Sequence, residues 1–334
     1  MATFTSNTYE GRYLQLYIAE TINTINNTST LNWTLTSAGG SVNYYTTGPA
    51  TVTINGTQVY YKARTSWDSK EFPAAKGSVS GSITVAHNAD GSKSINVGFS
   101  TAIYTSAVTE HGGTMTLAKI DRAAPTVNIS VSGITAYGAT VSATASTTCD
   151  IWEYSTNNGS SWTQFSTTAG TSASKAITGL SPNTSYTIKV RARKKSNHVY
   201  GTSGGSTIKT LGNAVLNSVS TLTADNATAS LTFNWTVYST GFTYSLAIKN
   251  GSTTVLTISI PAQSSTGTSS KTITLTSAQR TTLLSHMANM KSFTGTFSLT
   301  TKSGSTQIGS VSSKTATVQT TSTNSAPTFS GFTY

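Results

Sequence analysis

Ten carboxylates, four histidines and one cysteine are all that this chain of 334 residues offers to acid–base, nucleophilic or metal chemistry. The carboxylates are Glu10, Glu20, Asp68, Glu71, Asp90, Glu110, Asp121, Asp150, Glu153 and Asp225. A glycosidase needs two of them facing each other across a sugar. Asp68 and Glu71 are close in sequence and follow Trp67, a ring on which a sugar could stack, but Lys70, Pro73 and Lys76 mark the stretch as the polar rim of a loop. Asp150 and Glu153 flank Trp152, and a regular strand sends positions three apart to opposite faces. His87 and Asp90 invite a triad with some serine. Serine is so frequent that such proximity is expected by chance, and no Gly-x-Ser-x-Gly elbow is present. Asp90 reads better as a turn former. The histidines, His87, His111, His198 and His286, lack paired metal-ligand spacing. No Gly-rich phosphate loop follows a strand and opens a helix. Cys149 has no internal disulfide partner and reads as a small buried apolar side chain. The expectation is a chain with no catalytic residue, no metal and no cofactor.

Two groups of residues are better candidates for contact than for catalysis. Tyr44-Tyr45 and Tyr60-Tyr61 fall on expected strands, where adjacent residues face opposite ways, so one ring of each pair should face outward. With Trp67, such rings could stack on a sugar or a partner subunit, or pair across strands merely to stabilise a sheet. Truncating Tyr45 and Tyr60 together is expected to weaken adhesion and spare the fold. The second group is Lys189, Arg191, Arg193, Lys194 and Lys195, which begins with strand spacing. It is either a solvated strand face or a patch that attracts an acidic polymer such as a cell-wall polyanion.

The elements that would carry these residues are almost all strands. Leu31, Trp33 and Leu35 alternate with Asn32 and Thr34; Leu231, Phe233, Trp235 and Val237 alternate with Thr232, Asn234 and Thr236; Phe293, Gly295, Phe297 and Leu299 alternate with Thr294, Thr296 and Ser298. That period sets one row in a core and the other in solvent. The chain has 67 threonines and 51 serines, so the wet row is covered with hydroxyls. Threonine suits it because its β-branched stem favours extended backbone. Charged residues are only 9%, against about 25% in ordinary domains. Scarce Glu, Lys and Leu exclude coiled coils and helical bundles, aromatic and β-branched residues spread along the chain exclude disorder, and no apolar run reaches membrane-span length. The net charge of +11 divides as +1 over residues 1–122 and +5 over each of 123–211 and 212–334. The excess comes from missing acids and not from a basic cluster interleaved with aromatics, so no nucleic-acid partner is expected.

Turn residues punctuate the strands. Asn55-Gly56, Asn157-Asn158-Gly159 and Asn250-Gly251 read as tight hairpins, as does Asn88-Ala89-Asp90-Gly91 between Ser82–Ala86 and Ser94–Phe99. Pro125 after Asp121-Arg122-Ala123-Ala124 breaks pairing, Thr210-Leu211-Gly212-Asn213 closes a second segment, and Thr320–Pro327 reads as a linker. Thr276 with Gln279 signals a helix start, and Leu283, Leu284 and Met287 continue it, so one helix near 277–289 should cover a sandwich end with a solvated His286. The expected fold is all-β, three consecutive β-sandwich domains: 1–122, jelly-roll-like or another sandwich; 123–211; and 212–320, Ig-like with one short helix. Residues 321–334 would be a linker and the first strand of a further unit.

Within 123–211, the run Gly179-Leu180-Ser181-Pro182-Asn183-Thr184-Ser185-Tyr186-Thr187-Ile188-Lys189-Val190-Arg191-Ala192-Arg193 resembles a fibronectin type III domain. Tyr186 near the strand start can bond the preceding backbone and pin two sheets, with Trp152 as the core partner. Such a fold implies no function by itself. The whole chain is also similar to minor structural proteins of tailed phages that infect Gram-positive bacteria. That similarity rests on Ser29–Thr36, His87–Ile95 followed by Leu117–Arg122, and Ser277–Leu284 with Thr296–Gly309. It implies a virion protein of a tail fibre, tail tip or adhesion device, tail more than head, that supports host attachment without being an enzyme. Implied partners are other virion tail proteins, further copies in a homo-oligomer such as a trimer, and a host-surface glycan or wall polymer. Met1–Asn7 shows no basic-then-apolar leader pattern, so synthesis in the host cytoplasm without membrane insertion is expected. The rivals are a carbohydrate-binding module array of a wall-active protein, a capsid decoration or head-fibre protein, and a hydrolase. Receptor, docking partner and symmetry are not encoded in these motifs.

Overall fold

The computed structural model describes residues 1–8, 11–39, 49–63, 78–103 and 106–321. Over these residues the protein is all-β apart from one helix. The first eight strands are β1 (Ala2–Thr5), β2 (Arg12–Asn23), β3 (Thr28–Gly39), β4 (Ala50–Ile54), β5 (Thr57–Lys62), β6 (Ser78–Ala86), β7 (Ser94–Ile103) and β8 (Ser106–Thr116). They form two four-stranded sheets, in the orders β1-β2-β3-β6 and β5-β4-β7-β8. Sequence neighbours pair within one layer (β1–β2–β3, β4–β5, β7–β8), so of the two expected forms this is a sandwich of hairpins rather than a jelly roll. Leu14, Leu16, Ile18, Leu31, Trp33 and Leu35 from one sheet meet Val52, Ile54, Ile95, Val97 and Phe99 from the other.

The next seven are β9 (Val127–Ser132), β10 (Gly138–Ser155), β11 (Thr163–Ser166), β12 (Gly170–Thr178), β13 (Ser185–Lys194), β14 (Tyr200–Thr202) and β15 (Ser206–Lys209). The long β10 serves both layers. Its first half pairs with β9 and β12, its second half with β11 and β13. Trp152 is fully buried with Ile188, Val190 and Ala192, and the Tyr186 hydroxyl accepts a hydrogen bond from the Ser181 N–H at 2.9 Å, the corner its position implies.

The remaining elements are β16 (Val215–Val219), β17 (Leu222–Thr223), β18 (Ser230–Val237), β19 (Thr243–Asn250), β20 (Thr253–Ile260), β21 (Gly267–Thr274), α1 (Ser277–His286), β22 (Ser292–Ser303) and β23 (Thr306–Gln319). A three-stranded sheet, β16-β18-β21, faces a five-stranded one, β17-β23-β22-β19-β20. Their core holds an edge-to-face chain in which Phe233 meets Trp235 at 5.6 Å and Trp235 meets Tyr244 at 4.9 Å. The helix begins with a full capping box: Thr276 Oγ1 accepts from the Gln279 N–H, and the Gln279 side chain accepts from the Thr276 N–H. Leu283 is its buried anchor.

Outward hydroxyls meet in pairs across strands. Thr232 bonds Thr272 at 2.9 Å, Thr236 bonds Thr268 at 2.8 Å, Thr51 bonds Ser100 at 2.7 Å and Thr187 bonds Thr207 at 3.1 Å. Such pairs contribute about 0.2–1 kcal/mol each relative to alanine. The serine and threonine richness thus stabilises the sheets as well as wetting them.

One expected hairpin is something else. The turn at Asn88–Gly91 joins β6 to β7, and those strands lie in different sheets, so it is an arch between layers. Asp90 still forms the turn, with Oδ1 accepting from the Ser92 N–H and hydroxyl, and Gly91 is required beside it, because φ is +80° and a Cβ would strike the Ile120 carbonyl. The hairpins at Asn55-Gly56, Asn158-Gly159 and Asn250-Gly251 join strands that pair.

Candidate functional site

The expected basic strand is built into a ladder of ion pairs. On β13, Arg191 and Arg193 alternate with Val190 and Ala192, whose side chains are buried, so both guanidiniums emerge on the outer face. Glu153 lies opposite Arg191, and Ile151 opposite Arg193. The register slips between Cys149 and Ile151, which leaves Asp150 as the extra residue of a β-bulge. A bulge re-aims its side chain. Asp150 therefore stands on the same face as Glu153, where strict alternation would have opposed them. Arg193 donates to both Asp150 oxygens, at 3.0 and 2.9 Å, and Arg191 Nε donates to Glu153 at 2.6 Å. The Arg193 guanidinium holds the Asp150 carboxyl below the usual carboxylate range.

Arg191 also lies between two rings. Its guanidinium carbon is 4.7 Å from the centre of Trp162 and 4.8 Å from that of Tyr200. Partial burial pushes the Tyr200 hydroxyl up. Lys194 reaches Asp121 at 2.6 Å, and its hydrogen bond lowers that carboxyl. Three of the five cations are thus paired with carboxylates, while Lys189 and Lys195 make no ion pair among the described residues.

Of the aromatic candidates, Tyr44, Tyr45 and Trp67 lie outside the described residues, as do Glu10, Asp68, Glu71 and the side chains of Glu110 and His111. In the remaining pair the orientation is the reverse of the one assumed for the Tyr45/Tyr60 truncation. Tyr60 turns inward against the first core, 6.2 Å from the Trp33 ring, and burial raises its hydroxyl pKa. Tyr61 is 56% exposed. Truncating Tyr60 would therefore damage packing, and Tyr61 is the ring to alter.

His87 does meet a serine, which is Ser29. Its Nε2 is 2.8 Å from Ser29 Oγ, and its Nδ1 is 2.9 Å from the Gly91 carbonyl. The hydroxyl of Ser29 donates to Glu20 at 2.7 Å, and the other Glu20 oxygen accepts from the Ala118 N–H at 3.1 Å. A nucleophilic triad sets its carboxylate on Nδ1 of the histidine. Here the carboxylate is on the serine, Asp90 is turned away onto Ser92, and Ser29 has no exposure. Burial also raises the Cys149 thiol. His286 contacts the Asn250 amide at 3.1 Å and the edge of Phe293. Among the described residues no three His, Cys, Asp or Glu side chains are grouped to hold a metal, and no helix is long and apolar enough to cross a membrane.

Two joints link the sandwiches. At the first, Arg122 Nη1 donates to the carbonyls of Thr24 at 3.0 Å and Asn197 at 2.8 Å, while the Asn197 amide donates back to the carbonyls of Asp121 and Ala123. At the second, Gly212 N–H donates to Ser239 at 2.8 Å, Asn213 to the Ser310 carbonyl at 3.1 Å, and the Tyr137 hydroxyl donates to the Gln307 carbonyl while accepting from the Gly309 N–H at 2.9 Å. Ala136, from the turn before β10, is buried in the core of the third sandwich.

Comparison with known proteins finds no matching family model and no matching curated protein. Solved structures are similar at low scores. The tetra-tandem repeat in the extending region of a large adhesion protein covers 97% of this chain and 76% of its own, at 16% identity and TM-score 0.35. A Ca2+-stabilised, ice-binding adhesin of an Antarctic bacterium covers 90% and 71%, at 16% and 0.30. The central fibronectin-III array of RIM-binding protein covers 94% and 97%, at 14% and 0.22. Likenesses this weak carry no argument about activity.

Proposed function

We propose that this chain is a non-enzymatic spacer that holds and extends an attachment device, and that its specific setting is the tail of a phage virion infecting Gram-positive bacteria. The observation that carries the spacer reading is the pair of bonded joints. Arg122 and Tyr137 each tie two sandwiches through backbone groups, which suits a part that transmits position along a line. The virion setting is supported by the sequence similarity at Ser29–Thr36, His87–Ile95 and Ser277–Leu284. In that setting the units are 1–122, 123–211 and 212–320, and the partners are other tail proteins and further copies of the chain, a trimer included. Repetition would raise avidity for a repeating wall polymer even where each contact is weak. The test is electron microscopy of intact particles labelled with an antibody raised against residues 123–211. Label at the tail is expected; label on the head overturns the tail assignment, label on no particle overturns the virion setting, and release of sugar from purified cell wall by the pure chain overturns the non-enzymatic reading.

A sugar-binding module is the second reading, favoured by the outward Tyr61. A glycan array comparing the full chain with Tyr61→Ala checks it: selective sugar binding that disappears in the variant favours this reading.

A further inference from the structure

The third sandwich ties its first and last segments together side by side. Asn213 Nδ2 donates to the Ser310 carbonyl at 3.1 Å, and the Leu216 N–H donates to Ser312 Oγ at 2.9 Å. Farther on, Leu222 pairs with Val318 and Thr223 with Gln319, in the parallel sense. The Ala224 N–H then donates to the Gln319 carbonyl at 2.8 Å, and Asp225 Oδ2 accepts from the N–H and the hydroxyl of Thr321, each at 2.8 Å. The side-chain bonds of this row span 96 or 97 residues from its start to its end, so the two segments run in step over the whole distance. Leu216, Leu222, Ala224 and Val318, which carry the row, are fully buried in the third core. We infer that this row is a load clamp, and that under tension along the chain the third sandwich is the unit that yields last.

Direction is what makes the row a clamp. In a parallel row the start of one segment lies beside the start of the other, so Gly212 and Thr321 leave the sandwich at opposite ends. Tension on those two points slides the segments lengthwise past each other, and the bonds of the row must give together. Load from the second sandwich arrives at the end where the row begins: the Gly212 N–H bonds Ser239, and Tyr137 bonds Gln307 and Gly309. The same pull shears β16 along β18, where Leu216 lies opposite Trp235 and Val219 opposite Phe233. Among the described residues the other two sandwiches have no such row. In the first, β1 and β8 lie in different sheets, and β1 pairs with β2 over four residues. In the second, β9 pairs with β10 and β15 with β13, and one backbone bond, from the Leu211 N–H to the Thr135 carbonyl at 3.1 Å, joins the first segment to the last. Forced unfolding follows the rate of crossing a barrier and not the equilibrium stability, so the geometry of loading decides the order. The inference deepens the spacer reading and rests on it for its use, since a part that extends an attachment device carries the load that the device meets.

The experiment pulls single molecules of the full chain at constant force, with handles at Met1 and Tyr334. The length released assigns each event, and the length of residues 212–321 is expected last. The decisive change moves the first handle from Met1 to the thiol of Ala227→Cys. Ala227 is exposed two residues past Asp225, and the buried Cys149 does not compete for the handle. Force then enters at the same end as Thr321 and peels the row open bond by bond, which should shorten the lifetime of the third sandwich at least about tenfold at equal force. Asp225→Ala deletes the last two bonds and should shorten the lifetime under end-to-end tension. Ile258→Val, in the core on β20 at the far edge of the same sheet, should lower equilibrium stability and leave that lifetime nearly unchanged. A third sandwich that does not yield last, or that lives equally long with either handle position, overturns the inference. If Ala227→Cys does not fold, the order of release in the parent chain decides alone. The labelling of particles judges the virion setting and not the row, so either can fail without the other.

Discussion

The two joints solve the same problem with different physics. At the first, one guanidinium bonds a carbonyl on each side, and Asn197, itself fully buried, returns two bonds to the segment. At the second, neutral hydroxyl, amide and backbone groups meet, and Ala136 and Leu211 add apolar packing against the third core. The lesson is that a joint held by one charged donor depends on that single side chain, and a joint made of packing answers to volume.

The largest expected effect breaks the charged joint. Arg122→Ala removes the donor from two carbonyls, and bonds to charged groups are worth about 1.5–3 kcal/mol each, so a loss of about 3 kcal/mol is expected in denaturant unfolding. Gly212→Val tests the packed joint. Even a Cβ there would stand 2.9 Å from the Cβ atoms of both Asn183 and Tyr238. Overpacking should cost about 2 kcal/mol, read as a lowered melting temperature of the parts that flank it. Tyr137→Phe sharpens the contrast, because it removes two neutral bonds and leaves the ring; about 1 kcal/mol is expected, with no change across neutral pH.

The smallest effect lies on the ion-pair ladder beside the first joint. Asp150→Asn should cost about 0.5 kcal/mol at neutral pH, since the pair is partly solvated. Its mark is on acid unfolding. The lowered Asp150 carboxyl stabilises fully above about pH 4, the ordinary Asp value, and that contribution is lost as pH falls through the native value. The variant should flatten that part of the acid curve, and a curve parallel to the parent's would deny the pair any role.

What could be read from the sequence followed from local periodicity. Leu231, Phe233, Trp235 and Val237 are buried as their alternation requires, the helix begins at the Thr276–Gln279 box, and Tyr186 makes its corner. What could not be read depended on registers and on contacts far apart in sequence. Asp150 and Glu153 share a face only because of a bulge, which alternation cannot foresee. The turn at Asn88–Gly91 has hairpin chemistry, but its strands belong to different sheets. Glu20, Ser29 and His87 lie 9 and 58 residues apart in successive steps, and nothing near any of them marks the other two. Trp162 was legible in principle, as a large ring just past the Asn158-Gly159 turn, opposite a strand rich in arginine.

The reciprocal hydroxyl pairs on the outer sheets have one more consequence. Dissolved ions screen charges and leave uncharged Thr–Thr bonds alone. Most of this molecule's exterior should therefore hold together equally well in dilute buffer and in brine, an advantage for any part that must work outside the constant ionic conditions of a cell.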